Sequence, residues 1–159
     1  MKAAGVDFIL LESMKRIEEA RVACEEGRAA GLPVWVSFVI WEDGRLLSRE
    51  PLREAAKVLE AAGAEVVAAN AASLANITAA VNELRKHCAG PVGAFAHIGR
   101  YDHPSWKFGF YPRFSGTDAV TPARYLEAAR QWKSAGAQVI GGCCGTTPDH
   151  IKALRDGLI

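Results

Sequence analysis

The sequence predicts an α/β protein built on a parallel β-sheet, and three observations lead to this prediction. Short apolar runs alternate along the chain with amphipathic stretches that have helical spacing. The apolar runs show little polar alternation, which is typical of parallel strands covered on both faces. A glycine precedes each run, at a point where a helix can end in the left-handed conformation. Together these features predict repeated βα units with right-handed crossovers.

Five segments carry the pattern of helix end, glycine and strand. They cover residues 3–11, 29–39, 61–69, 88–96 and 134–140, and their glycines are Gly5, Gly31, Gly63, Gly90 and Gly136. The amphipathic stretches predict helices at 15–30, 51–62, 74–88 and 122–135, and a last helix is predicted at 148–158. Proline suits a first helical turn, and threonine suits an N-cap. The prolines are Pro51, Pro122 and Pro148, and the threonines are Thr121 and Thr147.

Two architectures fit this order of elements, an open doubly wound sheet and a part of an eight-stranded β/α barrel. The periodicity of the sequence does not separate them. The first residues, Lys2-Ala3-Ala4-Gly5, resemble the last turn of a helix whose own strand is absent. We therefore expect a chain that starts inside a βα unit, which favours the barrel fragment.

The composition limits the classes of function. The chain has 159 residues, of which 50% are hydrophobic and 23% charged, and this suits one globular domain. Its formal charge of +1 gives no reason to expect nucleic acid or an anionic membrane as a partner. The sequence has neither a membrane-spanning run nor a signal-peptide pattern, so we expect a cytoplasmic protein. Four cysteines are too few for a secreted disulfide framework, which favours reduced thiols or a metal site.

The most specific motif is VIGGCCGTTPDHI at residues 139–151, where an apolar strand meets a helix. Cys143 and Cys144 are adjacent and follow two glycines, which let the backbone turn tightly enough to aim both sulfurs inward. Adjacent thiols at a strand end favour metal ligation. The alternative is an N-cap turn at Thr147 and Pro148 that binds an anion at the helix N-terminus without a metal.

The segment GGCCGTTPDHI, residues 141–151, closely resembles the signature of zinc-dependent homocysteine S-methyltransferases. Three other stretches resemble strands of that family in order and spacing: GVDFILLES at 5–13, GLPVWVSF at 31–38 and AAN at 68–70. The resemblance covers essentially the whole chain but only strands four to eight of the family's barrel. It therefore implies a partial (β/α)8 TIM barrel of about five βα units, forming a single partial homocysteine-binding domain over residues 1–159.

The resemblance also implies the chemistry, which is methyl transfer to the thiol of homocysteine through zinc, a step of methionine biosynthesis. In the family three cysteines hold the zinc, and Cys143 and Cys144 match the adjacent pair. The third cysteine of the family follows an asparagine, but here Asn70 is followed by Ala71, which cannot bind zinc. His97, at the end of its strand, is the best substitute ligand, and His103 is a weaker one.

Two further residues match the substrate site of the resembling family. Glu12 corresponds to the acidic residue that holds the ammonium group of the amino acid substrate, although it could simply stabilise a helix N-terminus. Asn70 either orients the substrate or caps the turn after its strand.

Cys24 and Cys88 are interpreted as small packing residues. The segment 97–117 is aromatic and would either cover a methyl donor or pack on the rim of the barrel or in an oligomer interface, through Trp106, Phe108, Phe110 and Tyr111.

Three hypotheses about function remain open at this stage. The first is an enzyme that methylates homocysteine and is active only when a second copy or a complementing chain supplies the missing strands. The second is a catalytically inactive binding or regulatory half-barrel that has lost the full three-cysteine zinc site. The third is an open-sheet protein that binds another ligand at the strand ends. The sequence does not identify the methyl donor, which is betaine, S-methylmethionine, S-adenosylmethionine or methylfolate in proteins that resemble this one.

Overall fold

The computed structural model describes residues 2–101 and 114–159. The strands are β1 (Ile9–Met14), β2 (Val34–Val39), β3 (Val66–Asn70), β4 (Val92–Ala96), β5 (Arg100–Tyr101), β6 (Phe114–Ser115) and β7 (Ala137–Gly142). The helices are α1 (Ile17–Ala29), α2 (Leu52–Ala61), α3 (Leu74–His87), α4 (Pro122–Ser134) and α5 (Pro148–Leu158). The predictions for His103 and for the aromatic side chains Trp106, Phe108, Phe110 and Tyr111 lie outside the described residues.

A parallel sheet of five strands, in the order β1-β2-β3-β4-β7, forms the centre of the described structure. This spatial order follows the order of the strands along the chain. A doubly wound sheet would instead reverse its strand order at a switch point. The barrel fragment is therefore confirmed, and the open doubly wound sheet is wrong. The two short strands β5 and β6 form a separate antiparallel pair in the long connection between β4 and α4.

The predicted helices are confirmed to within two residues at each end. Thr121 accepts a hydrogen bond from the backbone N–H of Arg124, as its N-cap role requires. Two details of the prediction are wrong. Pro51 is the residue before α2 and not a member of its first turn. Gly90 does not adopt the left-handed conformation, because the chain leaves α3 in extended backbone at the C-cap residue Cys88.

The hydrophobic core lies between the helices and one face of the sheet. Val34, Val36 and Phe38 of β2 are completely buried there, and Trp132 of α4 is the largest fully buried side chain. The indole N–H of Trp132 donates a hydrogen bond of 2.7 Å to Thr78 Oγ1, so its polar atom is satisfied. Cys24 and Cys88 are buried within this core, as expected for packing residues.

The other face of the sheet is less well covered. Leu10 of β1 and Trp35 of β2 are register partners and alternate with the core-facing residues of their strands. The rings of Trp35 and Phe8 are stacked with their centroids 4.2 Å apart, while Phe8 and Leu10 are both 39% exposed. This face would be the inside of a closed barrel, and here it leaves apolar surface in contact with solvent.

None of the helices in the described part of the chain combines the length and the apolar character that crossing a membrane would require.

Candidate functional site

The predicted site residues lie at the carboxyl end of the parallel sheet. Asn70 is the last residue of β3, and His97 directly follows β4. Cys143 and Cys144 directly follow β7, and Glu12 lies near the end of β1. In a barrel of parallel strands this end carries the active site. The fold therefore places all five residues at the end of the sheet where such sites are built.

The backbone of Ala71 connects two of these residues. Its N–H group donates a hydrogen bond to the Cys143 thiol, and its carbonyl accepts one from the imidazole of His97. Ala71 itself has a φ of 54°, in the left-handed region that side chains rarely adopt. Backbone hydrogen bonds reinforce the arrangement, since His97 N–H donates to Ala72 and Cys143 N–H donates to Ala96. Cys143 and His97 therefore adjoin the same residue.

The two adjacent thiols have a spacing that suits a metal ion. Their sulfur atoms are 3.9 Å apart. Two thiolates on one tetrahedral zinc, each with a Zn–S bond of about 2.3 Å, would have their sulfurs about 3.8 Å apart. Burial raises the pKa of Cys143 to about 11, while Cys144 is exposed. The pair can therefore occupy two corners of a zinc tetrahedron.

A third protein ligand is not in place beside this pair. Within residues 2–101 and 114–159, no three His, Cys, Asp or Glu side chains are grouped closely enough to hold a metal ion. The resemblance assigns the third cysteine to position 71, and the residue there is Ala71, whose side chain is a methyl group. The described residues thus fit zinc at two positions, and a third donor would have to come from His97 by a change of side-chain position or from outside them.

The turn that carries the thiols is held by a threonine. Thr146 Oγ1 donates to the carbonyl of Cys143 at 2.6 Å, and the Thr146 N–H donates to the same carbonyl. A Cβ atom at Gly142 would overlap the Thr146 side chain, so a residue without a side chain is required at Gly142. The Gly-Gly pair read from the sequence therefore has a steric function at its second position.

Two residues that support the site were missed by the sequence analysis. Tyr125 of α4 is fully buried, and its hydroxyl lies 3.0 Å from the carbonyl of Ala96 and 2.8 Å from that of Gly141. Tyr125 thereby connects the ends of β4 and β7 next to the thiols. Burial raises the pKa of its phenol. A tyrosine on the core-facing side of a helix gave no sequence signal of this role.

The second missed residue is His150, at the third position of α5. Its Nδ1 accepts from the N–H of Thr147 at 3.2 Å and lies 2.9 Å from the Thr147 hydroxyl. Its Nε2 therefore carries the proton and donates to the carbonyl of Val120 at 2.9 Å. The Thr-x-x-His spacing after the cysteines was the available signal, because it matches the spacing of a capping box.

A buried polar network surrounds Asn70. Its Nδ2 donates to Ser13 Oγ at 2.8 Å, and the Ser13 N–H donates to Ser37 Oγ at 3.2 Å. Asn70 and Ser37 are completely buried, whereas Glu12 is exposed. Asn70 Oδ1 has no hydrogen-bond partner among the described residues. A serine within the apolar run VWVSFV was the signal that could have indicated this network.

Comparison with known proteins agrees with this geometry. The family described as homocysteine S-methyltransferase matches residues 1–158. The chain is 32% identical to betaine–homocysteine S-methyltransferase 1 of Bos taurus, over 97% of this chain and 40% of that protein. It is 33% identical to homocysteine S-methyltransferase of Escherichia coli, over 96% of this chain and 48% of that protein.

A solved structure of a homocysteine methyltransferase is also similar to this chain. The metallated form of the homocysteine methyltransferase MmuM from Escherichia coli superposes with a TM-score of 0.75 at 26% identity. The superposition covers 98% of this chain and 46% of the MmuM chain. The chain thus spans less than half the length of these relatives. With its partial barrel and its paired thiols at the carboxyl end of the sheet, this chain belongs to the homocysteine S-methyltransferase family.

Proposed function

We propose that the chain is the thiol-activating part of a zinc-dependent enzyme that transfers a methyl group to homocysteine. The observation that carries the proposal is the pair of adjacent thiols at the end of β7, with sulfur atoms 3.9 Å apart. Membership in the family and the likeness to a metallated relative support it. Methylation of the homocysteine thiol yields methionine, so methionine biosynthesis is the corresponding process. The four free cysteines are in keeping with a cytoplasmic location.

Cys143 and Cys144 would hold the zinc, and His97 would complete the set of protein ligands. Burial lowers the pKa of His97, and this keeps the imidazole neutral, as metal binding requires. The hydrogen bond from His97 to the Ala71 carbonyl places the ring beside the residue that adjoins Cys143, and a change of its side-chain position would bring it to the metal. Zinc held by these residues would lower the pKa of a bound substrate thiol, and the resulting thiolate would be a nucleophile at neutral pH.

The chemical step is a nucleophilic displacement at the methyl carbon. A new S–CH₃ bond forms on homocysteine while the bond between the methyl group and its donor breaks, and the electron pair of that bond stays on the donor. The proton of the thiol is released when the substrate binds. Glu12 and Asn70 would hold the amino acid end of the substrate, since one offers a carboxylate and the other an amide oxygen.

The test of this proposal is the zinc content of the purified chain. We expect close to one zinc per chain after reconstitution, and we expect the double variant Cys143→Ser/Cys144→Ser to lose it. Cys24→Ala serves as the control, because it removes a thiol buried in the core without touching the site. Transfer of a labelled methyl group from betaine or S-methylmethionine to homocysteine would follow. Equal zinc content in the wild-type chain and the double variant would overturn the proposal.

A second candidate is a binding module of the same family without catalytic activity. Ala71 favours it, because a methyl group stands where the resemblance assigns a third metal-binding thiol. This candidate predicts that the chain binds homocysteine but retains no zinc after reconstitution. Zinc content and homocysteine binding, measured on the same sample, therefore separate the two candidates.

Both candidates need additional strands to complete the barrel. The sheet has five strands, and within the described residues neither β1 nor β7 has a further neighbour at its outer edge. A closed barrel of this type has eight. We propose that a second copy or a complementing chain covers these edges.

A further inference from the structure

We infer that Ser13 is a positioning residue that orients the amide of Asn70, so that the amide oxygen receives the ammonium group of the substrate. The inference rests on the proposed function and adds a determinant of specificity to it. It would make the site selective for thiols that carry an amino group.

The side-chain oxygen of Asn70 has an unused hydrogen-bonding capacity. This residue is 0% exposed, and its Nδ2 donates to Ser13 Oγ at 2.8 Å. Its Oδ1 is buried and has no hydrogen-bond partner in the described part of the chain. A buried amide oxygen without a partner is destabilising, and such groups in folded proteins usually have a specific reason. The amide is thus fixed at one end and lacks a donor at the other.

Ser13 has an unusual backbone conformation. The register of β1 against β2 pairs Leu11 with Val36 and Met14 with Phe38, which leaves Glu12 and Ser13 opposite the single residue Ser37. This is a β-bulge, and Ser13 has a φ of 61° within it. Left-handed serine is disfavoured and persists where surrounding contacts impose it. Here the bulge brings the Ser13 hydroxyl to the amide of Asn70, while Ser37 accepts the Ser13 N–H.

The residues around the Asn70 oxygen indicate which chemical group it would bind. A carbonyl oxygen accepts hydrogen bonds, so the missing partner must be a donor. Glu12 is the other residue of the bulge, and its exposed carboxylate favours a positively charged donor. The residue after Asn70 contacts the Cys143 thiol through its N–H group. A small molecule that carries both a thiol and an ammonium group therefore suits the site, and homocysteine is such a molecule.

The experiment compares two thiols that differ only in the amino group. Homocysteine and 4-mercaptobutanoate are titrated into the wild-type chain and into Ser13→Gly. Glycine adopts a φ of 61° without strain, so this variant removes the hydroxyl and keeps the bulge. Hydrogen bonds to charged groups contribute more free energy than hydrogen bonds between neutral groups. We therefore expect homocysteine to bind about tenfold more weakly to the variant, in which the Asn70 amide is no longer held in place. Binding of 4-mercaptobutanoate should be unchanged.

Two other variants complete the design. Asn70→Ala should weaken the binding of homocysteine in the same selective way, whereas Asn82→Ala, at an exposed position of α3, should have no effect. An equal loss for both thiols in Ser13→Gly would mean that the serine acts on the fold alone, and that result would overturn the inference. The absence of any loss in Ser13→Gly would overturn it as well.

A probe without a thiol keeps the inference testable if the proposed function fails. In the ¹⁵N-labelled chain, the side-chain amide signals of Asn70 are identified by their loss in Asn70→Ala. We expect 2-aminobutanoate to shift these signals and butanoate to leave them in place. If neither thiol binds but 2-aminobutanoate still shifts the signals, then the proposed function is wrong and the inference stands. If the signals do not respond to 2-aminobutanoate, the inference is overturned.

Discussion

At the scale of single residues, Ala71 bears most directly on the proposed metal site. Its N–H contacts the Cys143 thiol and its carbonyl accepts from His97, so its own side chain starts close to both. A methyl group contributes no electron pair to a metal. One substitution at this position should therefore change metal affinity more than any change at the periphery.

We expect Ala71→Cys to tighten zinc binding by about 100-fold or more. Loss of a residue that only hydrogen-bonds to a metal ligand already lowers metal affinity by about 10–100-fold, and a direct ligand should matter at least as much. A competition titration with a coloured chelator measures the change. Ala79→Cys is the control, because it adds a thiol at an exposed position of α3. Equal zinc affinity in Ala71→Cys and the wild-type chain would show that the methyl group does not stand at a ligand position.

The four thiols should differ in their reactivity toward iodoacetamide. Cys144 is exposed and should react first, whereas Cys24 and Cys88 are buried and should react only on unfolding. Burial raises the pKa of Cys143 to about 11, so in the metal-free chain its alkylation should accelerate as the pH rises toward that value. Mass spectrometry of timed digests measures each rate. Early alkylation of Cys88 in the folded chain would contradict the described core.

At the scale of elements, the start of α5 depends on His150. The imidazole accepts from the Thr147 N–H and donates to the carbonyl of Val120, thereby joining the helix to the segment before α4. We expect His150→Ala to lower the free energy of unfolding by about 0.5–2 kcal/mol, because the Thr147 N–H and the Val120 carbonyl lose their part-buried hydrogen bonds to the imidazole.

Chemical denaturation measures that effect. His87→Ala is the matched control, since His87 lies at the end of α3 and interacts with Glu83 on the same helix. A loss of stability no larger in His150→Ala than in His87→Ala would show that the capping arrangement contributes nothing.

The sequence predicts most of the elements because their signals are local. Periodicity and glycine positions depend on neighbouring residues, and the five helices and the parallel strands accordingly appear where they were expected. The bulge at Glu12 and Ser13 could not be predicted, because it depends on the register between β1 and β2. The same is true of the contact between Ser13 and Asn70, which are 57 positions apart.

The positions of the proposed site residues at the ends of strands were also predicted from the sequence. Cys143, Cys144, His97, Asn70 and Glu12 were placed at strand ends from sequence, and the structure brings these ends to one edge of the sheet. The roles of Tyr125 and His150 were missed, because both act through backbone carbonyls that sequence does not bring together. A motif thus identifies side chains that carry chemistry more readily than those that support the backbone.

At the scale of the whole molecule, the open sheet leaves surface that a complete barrel would bury. A groove of about 820 Å³ runs beside β7. Its lining combines apolar residues, among them Ile140, Ile151 and Leu154, with the charged residues Arg85, Lys133 and Arg155. Leu10 and Phe8 are partly exposed near the opposite edge. Exposed apolar patches and unpaired strand edges are typical sites of association.

We therefore expect the isolated chain to self-associate or to bind a polypeptide that supplies further strands. Sedimentation velocity over a range of concentrations measures this. Leu10→Glu should reduce self-association, whereas Val22→Glu on the outer surface of α1 should not, although both residues are comparably exposed at 39% and 45%. A monodisperse monomer at all concentrations would contradict the prediction.

The agreement between spatial order and chain order has a consequence for local stability. Among the described residues, each interior strand of the five-stranded sheet pairs with the strands of that sheet that precede and follow it along the chain, so the sheet can open one unit at a time from its edges. All five residues of β3 are buried, and β3 has two strands on each side of it. We expect amide hydrogen exchange to be slowest in β3 and fastest in β1 and β7. Exchange measured by mass spectrometry would then show a gradient outward from Asn70, so the end of β3 that carries Asn70 would stay ordered while the edge that carries Cys143 and Cys144 opens.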